Sequence, residues 1–562
     1  MMNRMLGLLG LFAAGAVFGA DFDVRDFGAK GDGMTKDTAA VQRALDACAG
    51  TGGRVRVPRG TYLIGTIYFG DRTDLHLEKG AVLLGSPDLA DYNREDAFPQ
   101  NWSSKAEGWR GAHLILALEK RDIALTGEGV VDGNARAFMQ DGPTSYGYFS
   151  WTEGFIESRD HDAQARPGQE IEFVECRNVR VEGITLRDMC CWSCFFYGCD
   201  NVRVRGVTVR NDRRYANTDG FDIDSCRDVV ATDCDIETGD DGFAVRGDLS
   251  KLKDKTRVCE NVLISNSTCA VSANGVRIGV GRGAVRNVRI SGLCVRHAAN
   301  GVRLQSAYLQ NGGLAISDVT VEHVTISNVL RGVVVGGQTD VPDVPLENVR
   351  FRDLTIDAAR PIEVRGQGRT RPTRISFADV TVTGAEYPFL VSESDEVTFA
   401  DVRFAWSRFA DLPKTGPEAS GAYVSADTRR APYDPVRYPE AAPAMTAVGD
   451  FGALRAWMDA QSDRHDEAAF CHFLQRYYGT AWRHVRHYLR ELYAQEANRF
   501  KDVHLVGSDD PSVAPRLPRD FRQRAAYFWK RIIDIAEIVD KDEPVYAEHV
   551  RKSTPPGLPH SD

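Results

Sequence analysis

The chain of 562 residues lacks a second long apolar run. A membrane helix takes about 20 apolar residues, and nothing after residue 20 supplies them, so no membrane partner is expected. Positive charge is also in deficit: the formal net charge is −10 and the isoelectric point about 5.7. That excludes nucleic acid as a natural partner but leaves acidic polysaccharides open, because a local cluster of cations binds an anion on an acidic protein. Metal-ligand spacing is missing too. His472, His484 and His487 stand in one helical stretch with no carboxylate to complete a set, and neither metal nor cofactor is expected. Helical periodicity is absent from the middle of the chain.

What the chain has is, first, a secretory start. Arg4, an apolar run over residues 6–18, and the small residues near Gly19 read as a signal peptide over 1–20. No Cys follows to take a lipid anchor. The chain is expected to be secreted or periplasmic. Export permits disulfides, but the 12 cysteines follow a different logic, set by a repeat.

From about residue 170 one phrase recurs: "FVECRNVRVEGITL", "YGCDNVRVRGVTV", "DSCRDVVATDCDI", "RVCENVLISNSTC" and further copies. Each holds a short alternating strand, a polar Asn or Asp, and a second strand. Most are followed by a third strand led by Gly. Strand-only repeats of roughly 20 to 33 residues are the mark of a β-solenoid. The predicted fold is all-β, a parallel β-helix with three strands per turn. Cys176, Cys199, Cys226 and Cys259 take the same place in four consecutive turns, and Cys234, Cys269 and Cys294 are expected to do so on a later strand. Small apolar side chains stacked along the axis fit better than bridges. A helix over Thr38–Cys48 is expected to cap the open end. The solenoid is expected to fill residues 21–407. A Pro-rich linker over 408–446 and a small α-helical region over 447–562 follow. A monomer is expected.

The repeat aligns with itself on the Gly that opens the third strand: Gly220, Gly242, Gly275 and Gly301. The residue before each forms a column, Asp219, Asp241, Asn274 and Asn300. Two places after Gly the column is Asp222, Ala244, Arg277 and Arg303. Four places after, it is Asp224, Arg246, Gly279 and Gln305. Period two puts these columns on one outer face. Like charges directly opposite destabilise a sheet, so Asp219 stacked on Asp241, with Asp240 beside them, points to function. Clustered carboxylates raise one another's proton affinity, and one acid beside one or two bases is what glycoside hydrolysis requires. A turn in which Asp240 or Asp241 accepts a backbone N–H is the structural alternative.

"NTDGFDI", "TGDDGFAVR", "NGVRIG" and "GVRLQ" resemble, in order and spacing, the motifs of glycoside hydrolase family 28, the polygalacturonase and rhamnogalacturonan hydrolase family. "DFGAKGDGMTKDTAAVQRALDAC" and "LTGEGVVDGN" resemble it as well. The resemblance implies a right-handed, pectate-lyase-like parallel β-helix, hydrolysis with inversion, and a pectic oligo- or polysaccharide as substrate. It implies Asp240 as general acid, Asp219 and Asp241 as the groups that activate water, and Arg303 as the contact to a substrate carboxylate. Asn274 stands where the family has His, Gln305 where it has Lys, and Val321 where it has a Tyr. Asn217, Arg246, Asn274, Arg277, Arg303 and Gln305 are the expected substrate contacts, with Arg246 or Arg277 replacing the missing cation. Two other readings stay open: a β-helical polysaccharide lyase with Arg277 or Arg303 as base, and a non-catalytic carbohydrate-binding solenoid. The segment over residues 91–162 could block one end of the cleft.

Overall fold

A computed structural model describes residues 19–93, 111–139, 147–150, 154–157, 166–306, 313–336, 344–366, 370–384, 389–392 and 394–406. The expected signal peptide is outside these residues except for its last two. The expected linker, the helical region and its three histidines lie outside them entirely.

The recurring phrase folds as one turn of a right-handed parallel β-helix. Arg177–Glu182, Thr185–Arg187 and Cys194–Tyr197 make such a turn. Each pairs in parallel with its counterpart one turn on, Asp200–Arg205, Thr208–Arg210 and Phe221–Asp224. Alternation sends every second side chain inward. Val179, Val202, Val229, Val262, Val288, Val319 and Val349 stack on consecutive rungs, each at most 1% exposed. Burial of one such side chain stabilises by about 1.5–3 kcal/mol, and the column repeats that gain on every turn.

The first cysteine column is as expected. Cys176, Cys199, Cys226 and Cys259 are buried free thiols, and the Sγ of Cys199 and Cys226 donate to the carbonyls of Phe173 and Phe196, at 3.2 and 3.3 Å. The second column is not one. Cys269 pairs with Ile236 and Val295, and Cys294 pairs with Thr268. Cys234 precedes the strand altogether, so the three occupy different places in the turn. Among the described residues all cysteines are free.

The polar residue of the phrase has a backbone reason. Asn178, Asn201, Asp228, Asn261 and Asn287 bend the chain inside the first strand of each turn at φ of 57°, 56°, 59°, 59° and 52°. Asn and Asp tolerate this left-handed region best after Gly. Their side chains then join rung to rung: Nδ2 of Asn201 donates to Asn178, that of Asn261 to Asp228, and that of Asn287 to Asn261, all at 2.7–2.8 Å. At the open end, α1 (Thr38–Cys48) covers the first rungs with Ala40, Val41, Ala44, Leu45 and Cys48 buried. The Asp32 carboxylate accepts from the N–H groups of Met34 and Thr35, at 2.9 and 2.7 Å, which is turn chemistry as read from the sequence.

Asn261→Val is expected to lower stability by about 1–3 kcal/mol through strain of a β-branched residue at this φ, in addition to the loss of two ladder bonds. Asn261→Gly removes only the bonds, worth about 0.5–1.5 kcal/mol each. Denaturant unfolding of both variants checks the order, and a Val variant as stable as the Gly variant would contradict the backbone account.

Candidate active site

The third strands build the site: β1 (Cys194–Tyr197), β2 (Phe221–Asp224), β3 (Phe243–Gly247), β4 (Asn274–Gly281) and β5 (Asn300–Gln305). Their register carries the columns read from the sequence. Asp222, Ala244, Arg277 and Arg303 are successive partners. Gly220 N–H donates to the Asp241 carbonyl and Gly242 N–H to the Asn274 carbonyl, both at 2.8 Å, which stacks Asp219, Asp241 and Asn274. The glycines are there for close approach. A Cβ on Gly220 would lie 2.5 Å from the Gly242 carbonyl oxygen, and one on Gly242 would lie 2.7 Å from that of Gly275.

Asp219, Asp240 and Asp241 come together, with one carboxylate oxygen from each within 4.8 Å of the others. They are 4%, 7% and 0% exposed. Each has a different environment. Asp240 Oδ2 accepts from the backbone N–H and Nδ2 of Asn217 at 3.2 and 3.4 Å. Asp241 Oδ1 accepts from the N–H of Asn274 at 3.1 Å and from its Nδ2, and Asp241 Oδ2 faces Arg277 Nη1 at 3.2 Å. Asp219 Oδ1 is buried without a hydrogen bond. Burial pushes the Asp219 carboxyl well above the usual range, the charges of Asp240, Asp222 and Asp241 add to the push, and Arg277 opposes it. Three carboxylates this close titrate as one unit. The cluster has the reach of a cation site, but Arg277 already sets a positive charge against it.

A model of glycosyl hydrolases family 28 matches residues 94–400, more than half of the chain. The chain belongs to glycosyl hydrolases family 28. Residues 22–119 match a second model, "Rhamnogalacturonase A/epimerase, pectate lyase-like". An endo-polygalacturonase of Pectobacterium carotovorum subsp. carotovorum is 22% identical over 68% of this chain and 94% of its own length. Two solved exopolygalacturonases share the fold. The one from Thermotoga maritima has a TM-score of 0.53 at 21% identity, covering 68% of this chain and 91% of that one. The one from Yersinia enterocolitica has 0.53 at 19%, covering 72% and 79%. The family 28 chain is a glycosidase of the polygalacturonase type.

Three expectations about the site of this family 28 enzyme change. Arg246 does not face substrate. Its guanidinium lies between Asp222 and Asp224, at 3.3 and 3.4 Å, and over the Trp192 ring at 4.3 Å, with its side chain 4% exposed. The reason is the register, which sets it directly opposite Asp224. Val321 is a core residue of another sheet, paired with Ile290 and Phe351, and is fully buried. Gln305 is 1% exposed, with its Nε2 buried and unbonded. Arg303 is half-buried beside it and keeps the partial exposure that contact with a substrate needs.

The sequence reading missed two features. Arg166 donates to the backbone oxygens of Cys190 and Ala216 and to Asn217 Oδ1, bracing the residue that holds Asp240. It precedes the repeat, and no pattern marks it. The second feature is a wall. One rung before Asp219, Trp192, Phe195 and Tyr197 cross the same outer face, with ring centroids 5.1 and 5.5 Å apart, and are at most 2% exposed. The segment after Asp248 roofs them: Leu252 packs on the cluster, Lys251 N–H donates to the Tyr197 hydroxyl at 3.1 Å and Lys253 N–H to Glu175 at 3.0 Å. Extending the self-alignment one turn back, onto "CWSCFFYG", would have placed these aromatics.

Burial raises the Asp222 and Asp224 carboxyls to about 8 and about 7, against the pull of Arg246. The folded chain therefore holds protons that the unfolded chain has released above its ordinary value of 3.8, and stability falls as pH rises through that window. Melting temperature is expected to drop between pH 5 and pH 8.5, and Asp222→Asn to flatten the drop. An unchanged slope in the variant would contradict the burial of Asp222.

Proposed function

We propose that this glycosidase is exported and hydrolyses acidic, pectic polysaccharides with inversion, working from one chain end. The carboxylate trio carries the reading. Asp240 is the acid that protonates the leaving oxygen, and Asp219 and Asp241 order the attacking water, as the family resemblance implies. In the free site burial pushes the Asp219 carboxyl upward, and the contact among the three lets a proton be shared and redistributed when the substrate displaces solvent. Arg303, in register beyond Arg277, meets the carboxylate of an acidic sugar. The signal-peptide pattern of residues 1–20 supports export. Among the described residues no helix is long and apolar enough to cross a membrane.

The short distances within the trio would by themselves suit the roughly 5 Å separation of a retaining pair. The environments argue against it. Asp241 has no exposed surface, with Oδ1 held by Asn274 and Oδ2 facing Arg277, so it is not placed to form a glycosyl ester. The lyase reading loses Arg277 as a base, because it is paired with Asp241, and keeps Arg303 as its candidate. Chain-end action follows from the wall: a sugar cannot lie on the Trp192 rung, while Arg277, Arg303 and Val334 leave the other direction partly open.

Asp240→Asn is expected to lower kcat on oligogalacturonides by at least about 100-fold, and proton NMR of the first wild-type product to show the inverted anomer. Retained activity in the variant would remove Asp240 from its role, and a wild type inert on every pectic glycan would remove the substrate class. On polygalacturonate, products of a single size are expected from the earliest time points, with slow loss of viscosity. An early mixture of oligomer sizes would contradict chain-end action.

A further inference from the structure

Arg277 is set among the expected substrate contacts by its column, next to Arg303. Its side chain points elsewhere in the charge balance. Nη1 lies 3.2 Å from Asp241 Oδ2, and the side chain is 14% exposed against 0% for Asp241. The other oxygen of Asp241 meets an oriented amide. Asn300 Nδ2 donates to Asn274 Oδ1 at 2.8 Å, so the Asn274 amide presents its nitrogen, not its oxygen, to Asp241 Oδ1. The Asn274 backbone N–H points at the same atom. Asn274 thus presents two donors to Oδ1, and Arg277 sets a positive charge against Oδ2, which makes no hydrogen bond.

We infer that Arg277 is a positioning residue acting through Asp241: with the Asn274–Asn300 amide ladder it fixes the buried Asp241 carboxylate in place and sets a positive charge against the trio. Charged groups face this carboxylate from each neighbouring rung. Asp219 and Asp222 lie on β2 or its entry, Asp240 precedes it in the chain, and Arg277 is on β4, while Arg246 on β3 is taken up by Asp222 and Asp224. Arg277 is thus a cation set against the trio, and Arg303 lies one rung outward. The inference rests on the proposed hydrolytic roles of the three aspartates.

The test measures kcat and KM across pH for Arg277→Met and Arg277→Lys on an oligogalacturonide, with folding checked by far-ultraviolet circular dichroism. Positioning predicts a loss of about 100-fold in kcat for the Met variant, with KM within about threefold. The acidic limb of its pH–rate profile moves to higher pH, because the charge that opposes the upward push on Asp219 is gone. Arg277→Lys, folded and charged, recovers part of the rate and returns the limb toward wild type. A rise in KM of tenfold or more with kcat and the limb unchanged overturns the inference and makes Arg277 a substrate contact. If the Met variant fails to fold, the Lys variant decides: a wild-type pH profile with raised KM overturns the inference as well. Asp240→Asn measured alongside separates the two levels, since activity retained there removes the hydrolytic roles themselves, whatever Arg277 does.

Discussion

In a β-helix the nearest neighbour of a side chain is its own equivalent one turn away, at about 4.8 Å, and everything else in this protein answers to that spacing. An inward column of valines gains burial at every rung. An asparagine column gains a hydrogen bond at every rung, because an amide carries both donor and acceptor. A column of carboxylates gains nothing: each added charge is repelled by the last and has no donor to offer. Stacked aspartates are therefore a local loss of stability, placed where the chain is otherwise most regular.

The structure offsets that loss sideways and along the helix. Along it, Asp241 is followed by Asn274 and Asn300, so the acidic column ends in amides that donate back toward it. Sideways, arginines on later rungs reach to carboxylates on earlier ones, Arg277 to Asp241 and Arg246 to Asp222 and Asp224. Buried ion pairs of this kind stabilise little on balance, since desolvation consumes most of the attraction. What they do is oppose the upward push that burial gives those carboxyls, without cancelling it at Asp222 and Asp224. Asp219, whose Oδ1 is buried without a hydrogen bond, is pushed upward by burial and by its neighbours' charges against the pull of Arg277. Unequal environments for equal side chains are how acid and base roles separate.

The fold and the columns were legible in the sequence because one periodicity governs both. A repeat that aligns with itself gives the register directly, and Asp219, Asp241, Asn274, Arg277 and Arg303 fell where the alignment put them. The failures share a cause. Alignment tells which residues stack, not which way a long side chain turns, so Arg246 was read as open to substrate when it is buried between two aspartates. It also fails where turns differ in length or where the anchoring Gly is absent, as with the misjudged Cys234, Cys269 and Cys294, and with the Trp192 rung, which has Ser193 in place of Gly. Arg166 stands before the repeat and had no partner to align with.

The direction of the groove follows from the same stacking. Aromatic residues on the Trp192 rung suit a covered surface, and the Arg246 guanidinium stacked on the Trp192 ring seals the boundary with the next rung. Beyond the trio the columns turn cationic and partly exposed. On the proposed function, an acidic chain lies along the cationic side and stops at the three carboxylates. Repulsion between those carboxylates and an anionic sugar would hinder binding there unless part of the trio were neutral. Burial pushes the Asp219 carboxyl toward its neutral form, which lowers that repulsion.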